Sequence, residues 1–532
     1  MHCIIQLSFA AKAPYTAKVY GAFCYFKGRF HTMMDMITQI NSTLNGIVWG
    51  WPALILLAFV GVLTTCITKF FQVTHFGHWM KNTIGAIFKD SSVTSHTADR
   101  SISQFQSLCT ALAATVGTGN IVGVAGAILV GGPGAVFWMW LIAFFGMMTN
   151  YSENGLGIYY RRKNEQGEWC GGAMYYLHDG LGEKKGCKWI GKILAVAFSG
   201  FCFLASFGIG NMTQVNSISG NMNAVFGVPA WVTGLVILVM SALVIVGGLK
   251  RIATVTEKIV PFMVLIYMVG SIAILVMNIR MVPAVFAAIF KGAFAVKAAG
   301  GGIVGYGMKL AIEQGMKRGV FSNEAGLGSS VMVHSNSNVR EPVRQGMWGI
   351  FEVFADTIMV CSLTAFSVLS SGLVDLETGV TVAEYGGVAL TNANVVSTVF
   401  TIYFGKLGGA FVALSIMLFA YSTVLGWSHY GSKACEYLFG TKSTMVYRVI
   451  FVLATFGGSV MGANLAWDIA DTLNGMMMIP NLIGVIVLSP LVCRITKNYV
   501  DRKILGKDIE PMLSNFPDIQ KESTEAVAQG AE

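Results

Sequence analysis

Residues 109–130 read CTALAATVGTGNIVGVAGAILV. The stretch is apolar and long enough to span a membrane, for which ~20 residues suffice. VGTGN, Val116 to Asn120, interrupts it with two glycines, a threonine and an asparagine. A glycine in a helix interior costs roughly 1 kcal/mol relative to alanine. In hydrocarbon, each backbone group freed by an unwound turn costs several kcal/mol more unless something binds it. A spanning helix broken here points to a ligand or ion that satisfies the opened backbone. Glycines also serve close helix packing in membranes, and a lone one such as Gly123 or Gly126 reads that way.

Composition sets the class. Of 532 residues, 54% are hydrophobic and only 12% charged, against about a quarter charged in a soluble domain. Mean hydropathy is +0.62. The chain is an all-α polytopic membrane protein with the lipid bilayer as its solvent. Its net charge of +9 does not signal nucleic acid, because the bases cluster in particular loops. The ten cysteines are scattered without a CxxC pair and read as buried thiols. No covalently bound cofactor is implied, and no obligate protein partner.

About eleven segments have spanning length, at ~20 residues each: 47–68, 107–130, 134–158, 190–210, 229–248, 259–278, 298–316, 346–370, 408–430, 445–464 and 473–493. Basic residues then alternate in side. One side receives Lys69, Lys81, Arg161, Arg162, Lys163, Lys250, Lys317, Arg318, Lys433 and Arg494. The other receives Arg280, Lys291, Lys297 and Lys406, with Asp375, Glu377 and Glu384. The bias places the N-terminus outside, the C-terminus in the cytoplasm and the protein in the plasma (inner) membrane. Residues 1–32 carry no membrane-length span and read as an extension ahead of a natural start at Met33, Met34 or Met36, or as an interfacial arm. Residues 40–495 form the membrane domain. Residues 500–532 read as a polar cytoplasmic tail, disordered by composition.

A second interruption, AAGGGIVGYG at 298–307, holds five glycines in ten residues. With the span at 47–68 set aside, the two broken members are numbers one and six of ten, and they run in opposite directions. That is the pattern of a 5+5 inverted repeat, with its site between the halves.

Three stretches resemble the alanine or glycine:cation symporter family, the sodium:alanine symporters. They are ALAATVGTGNIVGVAGAILVGGPGAVFWMW at 111–140, MKRGVFSNEAGLGSS at 316–330 and RQGMWGIFEVFADTIMVCSLTA at 344–365. The resemblance covers roughly residues 40–495. It implies the discontinuous-helix sodium symporter fold of the APC superfamily with one extra N-terminal helix, and uptake of alanine, glycine or a similar small neutral amino acid with Na⁺. Ile303 stands where the family pattern leads one to expect an aromatic residue, which opens the question of substrate size.

A zwitterion that leaves water needs replacements for it. The half-helix beginning near Gly119 offers free N–H groups and the positive end of its dipole. The substrate carboxylate is assigned there, among Thr115, Thr118, Gly119 and Asn120. Acceptors for the ammonium group are the amide oxygen of Gln214 and carbonyls of the glycine run (Gly301 and Gly302, beside Ile303). The resemblance favours Gln214, and the competing reading is an extracellular-loop amide. In distant relatives of this fold, a sodium site joins carbonyls of the first broken helix to hydroxyls of the eighth. Carried over by position, these are Ala113, Val116, Ser422 and Thr423. Adjacent hydroxyls in a helix also bond back to the preceding turn. Trp427, on the face of Thr423, is either a pocket wall or an interfacial anchor.

Glu352 and Asp356 share a helix face at i, i+4. Intramembrane acids are functional candidates, so a proton-coupled carrier is the first rival. The structural alternative pairs them with Arg318 or Arg344. Glu324, in SNEAGLGS, is placed at the cytoplasmic mouth as a gate or helix-end cap. An enzyme needs a nucleophile–base pair or a metal cluster in its spans, yet the chain has no HExxH and no GxSxG. Nothing resembles the filter of a channel.

Overall fold

The computed structural model describes residues 36–96, 101–184, 186–294, 306–461 and 463–528, with Tyr306 and 463–467 through their backbone alone. The expectations for residues 1–32 and for Gly301, Gly302 and Ile303 lie outside these residues.

The architecture is helical apart from two-residue hairpin strands at Arg162–Lys163 with Trp169–Cys170 and at Glu384–Tyr385 with Val388–Ala389. The longer helices are α1 (Met36–Ile67), the bent pair α2 (Gln104–Thr115) and α3 (Gly119–Gly131), α4 (Gly134–Tyr159) and α5 (Lys188–Phe226). Then come α6 (Ala230–Ile245), α7 (Gly248–Met277), α8 (Val282–Phe294), α9 (Tyr306–Asn323) and α10 (Pro342–Leu369). The chain continues through α11 (Val395–Phe404), α12 (Lys406–Phe439), α13 (Ser443–Val460), α14 (Ala463–Tyr499) and α15 (Pro517–Ala528).

Among the described residues eight helices are long and apolar enough to cross a membrane, nine if α2 and α3 count as one. The expectation of about eleven is met to that extent. The segment at 229–248 forms α6, only 16 residues long, which at ~1.5 Å per residue falls short of a ~30 Å hydrocarbon core. The segment at 298–316 is described only from residue 306, and α9 carries Lys309, Glu313, Lys317 and Arg318.

Outward faces are apolar: Leu243, Leu265, Val276 and Leu453 are all exposed, as lipid contact requires. Inward faces are polar, with Glu153, Glu324, Glu352 and Asp356 all buried. Small residues let the helices that frame this interior touch. A Cβ on Gly426 of α12 would lie 2.7 Å from Cβ of Ala114 on α2, so the two backbones cross in contact. The C-terminal residues also pack: Asn515 N donates to the Tyr159 carbonyl (2.9 Å), and Glu522 pairs with Arg340 (3.1 Å) and Lys163 (3.4 Å). The tail expected to be disordered thus carries a helix laid against the end of α4.

Candidate functional site

The chain opens where the sequence places the break. α2 and α3 meet at a 50° bend. In a continuous helix Gly117 N–H would bond to the Ala113 carbonyl and Asn120 N–H to that of Val116. Instead Gly117 N donates to Asn120 Oδ1 (2.8 Å), and Asn120 N bonds to the Gly117 carbonyl (3.3 Å). The carbonyls of Ala113 and Val116 are thereby released. Thr118 N and Gly119 N donate to nothing among the described residues. Two released acceptors and two free donors lie within one buried turn, halfway along the bent span.

The side chains around this turn are buried and directed. Thr118 Oγ1 donates to Gln214 Oε1 (3.0 Å), and Gln214 Nε2 donates to the Ile209 carbonyl (2.9 Å). Gln214 lies within α5 and is 2% exposed, so it is not a loop amide. Thr115 Oγ1 bonds back to Ala111 (3.2 Å). Ser422 and Thr423 both donate to the Phe419 carbonyl (2.8 and 3.0 Å). Thr423 nevertheless abuts the break, since a Cβ on Gly117 would fall 2.4 Å from its Oγ1. Trp427 is 1% exposed, which rules out an interfacial anchor. Its indole Nε1 donates to Glu324 Oε1 (2.8 Å).

SNEAGLGS does not stand apart at a mouth. α9 ends at Asn323, Glu324 takes a left-handed φ of 57°, and the chain turns through Gly326 and Gly328 before a short helix at Val331–His334. A Cβ on Gly119 would fall 3.3 Å from the Phe321 ring and 3.5 Å from Ser322 Cα. The start of this turn therefore lies against the break at 116–120. Asp356 ties them together: it accepts from Asn120 Nδ2 (2.6 Å) on Oδ1, and from Ser322 Oγ and Thr357 Oγ1 (2.8 Å each) on Oδ2. A left-handed glutamate costs roughly 1–2 kcal/mol, and such strain persists where the surroundings over-determine it.

The pairing of the two acids with arginine is overturned. Glu352 Oε2 contacts His334 Nε2 (3.0 Å) and accepts from Asn150 Nδ2 (3.1 Å), while Arg344 pairs with Asp90 (2.8 Å). Glu352 Oε1 is buried and has no partner. One turn separates Glu352 from Asp356, yet each faces its own polar group.

Sequence reasoning missed Phe321, Ser322, His334, Asn150 and the buried Glu153, which accepts from Asn481. A signal was present for some of them. N-Y-S-E-N at 150–154 is a polar run inside an apolar span. The widened π turns gave no such sign. Those at Gly119–Gly123, Gly208–Met212 and Phe354–Cys361 all line this site, as such turns tend to do.

Residues 34–512 match the sodium:alanine symporter family. The sodium/alanine symporter AgcS of Methanococcus maripaludis is 44% identical over 466 residues, covering 88% of this chain and 98% of that one. From Bacillus subtilis, the putative sodium/proton-dependent alanine carrier YrbD is 35% identical (88% and 93% covered), and the probable sodium/glutamine symporter GlnT is 34% identical (90% and 93% covered). A manganese transporter of Eremococcus coleocola superimposes with a TM-score of 0.41 at 11% identity, over 79% of this chain and 92% of that one, a likeness too distant for residue correspondences. A broken span, a buried turn packed on it and a match from end to end of the membrane domain agree: the chain belongs to the sodium:alanine symporter family, membrane transporters and not enzymes.

Proposed function

We propose that the protein takes up a small neutral α-amino acid together with Na⁺ by alternating access. The observation that carries this is the pair of unbonded N–H groups at Thr118 and Gly119 beside the Gln214 amide. The two N–H groups suit a carboxylate. Gln214 Oε1, already accepting from Thr118, has a second lone pair for the ammonium group. Trp427 and Phe321 bound the space for the side chain, and Glu324 holds Trp427 in place as a gate. The released carbonyls of Ala113 and Val116, with the hydroxyls of Ser422 and Thr423, are the oxygen ligands for Na⁺. On this reading the bundle is a 5+5 inverted repeat behind α1 in the plasma membrane, N-terminus outside and C-terminus cytoplasmic. One Na⁺ falling through 100 mV and a tenfold gradient supplies about 3.7 kcal/mol, enough for roughly a 500-fold substrate gradient.

The test is uptake of labelled L- and D-amino acids into proteoliposomes. Replacing external Na⁺ with choline abolishes uptake of the preferred substrate; uptake that survives refutes Na⁺ coupling. Thr423→Val keeps the shape and removes the oxygen. It raises the half-saturating Na⁺ concentration about tenfold, the worth of roughly 1.4 kcal/mol, while saturating Na⁺ restores most of the rate.

A second reading has its own observation. Glu352 Oε1 is a buried acceptor oxygen without a donor, and a proton carried there removes its uncompensated charge. If protons couple, an inward pH gradient without Na⁺ drives uptake, and Glu352→Gln removes that component while sparing Na⁺-driven uptake.

A further inference from the structure

The face that bears Lys250, Lys433 and Lys442 opens into a polar cavity of about 520 Å³. Small-molecule sites run from about 300 to 1,000 Å³. Buried in its lining is His429 of α12, two residues past Trp427, which is about 3 Å along the helix axis and about 200° around it, on the far side of α12. His429 is 3% exposed and hydrogen-bonds the Met332 backbone through its ring. Its Nε2 is buried with no partner, and in a neutral ring that donates at the other nitrogen it is an acceptor.

The charges on the wall are unevenly matched. Lys433 and Glu436 neutralise one another at 2.9 Å, and Glu436 Oε1 also accepts from Asn164 (2.9 Å). Arg448 of α13 has no such partner. Its guanidinium forms no hydrogen bond or ion pair among the described residues, and acts on Glu168 and Glu436 only at longer range. Its flank is the backbone of Gly248, where a Cβ would lie 3.2 Å from Nη1 and where φ is +73°. A guanidinium fork matches a carboxylate in two parallel bonds. The cavity thus offers a free cationic fork and a buried acceptor nitrogen, beside a carboxylate that Lys433 already neutralises.

We propose that this cavity is a second, release-side site for the transported amino acid, with Arg448 holding the carboxylate and His429 Nε2 receiving the ammonium group. It rests on the amino-acid reading above. Substrate leaving the first site toward the basic face would meet groups for both ends of a zwitterion, and so gain one set of partners as it sheds another.

The test uses the whole protein in proteoliposomes, with half-saturation for L-alanine exchange measured from each side of the membrane. Arg448→Gln raises it about tenfold on the basic face and leaves the opposite face unchanged, with Arg448→Lys in between. An equal shift on both faces, or none, overturns the proposal. A second measurement does not depend on Arg448 variants folding. With Cys3, Cys24, Cys66, Cys187 and Cys493 replaced by serine and Asn120→Ala disabling the first site, alkylation of Thr444→Cys is slowed by millimolar L-alanine but not by acetate or methylamine. No protection refutes the site, and equal protection by acetate alone also refutes it, since it means a general anion cavity. Transport of no amino acid at all refutes the amino-acid reading and this site with it, whereas uptake without protection refutes this site alone.

Discussion

Asn120→Ala lowers substrate uptake at least 100-fold while the protein still inserts and purifies. Asn120 serves the break twice. Its Oδ1 receives Gly117 N–H (2.8 Å), and its Nδ2 reaches Asp356 Oδ1 (2.6 Å) and Cys361 Sγ (3.3 Å). Alanine leaves a buried amide and a buried carboxylate each one partner short, at about 1–3 kcal/mol apiece and more for the charged group. The cheapest relief is for the turn to rewind, with Gly117 N–H returning to the Ala113 carbonyl. That closes the backbone on which the carboxylate and the ion are proposed to sit. Asn120→Asp separates the two roles: it keeps an acceptor for Gly117 but sets a second carboxylate against Asp356, which disfavours ionising both. Uptake by Asn120→Asp is therefore also lost at neutral pH. Near-normal uptake by Asn120→Ala, with normal amounts in the membrane, refutes the site.

Gly210→Ala has the next largest effect, at the other wall. A Cβ at position 210 would fall 2.3 Å from Trp427 Cβ and 2.5 Å from Cγ. Those atoms are the root of the indole, so no rotamer change clears them. Either α5 or α12 moves, and overpacking of this kind costs about 1–3 kcal/mol. The movement takes Trp427 Nε1 off Glu324 (2.8 Å) and shifts the π turn whose Ile209 carbonyl orients Gln214. Uptake falls about 100-fold, and the thermal midpoint in detergent falls with it. Gly220→Ala, on the same helix with nothing within 4 Å of its Cβ, changes neither. Equal behaviour of the two variants means that the close approach of α5 to Trp427 is unimportant.

Some of the site was legible because its cause is local. Glycine and threonine at 117–119 weaken a helix wherever they stand, and the break lies there. Trp427 stands in a largely apolar span, whereas Gln214 lies in the polar run GNMTQVNS at 210–217 and is favoured by the family resemblance. Their alternatives as loop amide and interfacial anchor fell only when both side chains proved buried. SNEAGLGS was read as a separate mouth element because its glycines and charges look like any helix end. Its packing on Gly119 comes from the approach of α9 to α3, which no local pattern encodes. Glu352 and Asp356 show the same limit. The i, i+4 spacing put both on one face, but could not tell that Asp356 would meet Asn120 and Ser322 while Glu352 met His334.

By itself the sequence determined the membrane class, the position of the first break, the family and the residue types on offer to a ligand, because hydropathy and backbone propensity act over a few residues. The tertiary structure alone decided which polar groups complete each other. Asn120 and Asp356 are 236 residues apart, Trp427 and Glu324 are 103 apart, and Thr118 and Gln214 are 96 apart. A buried hydrogen bond needs both partners within about 3 Å, and that proximity belongs to the packing of whole helices.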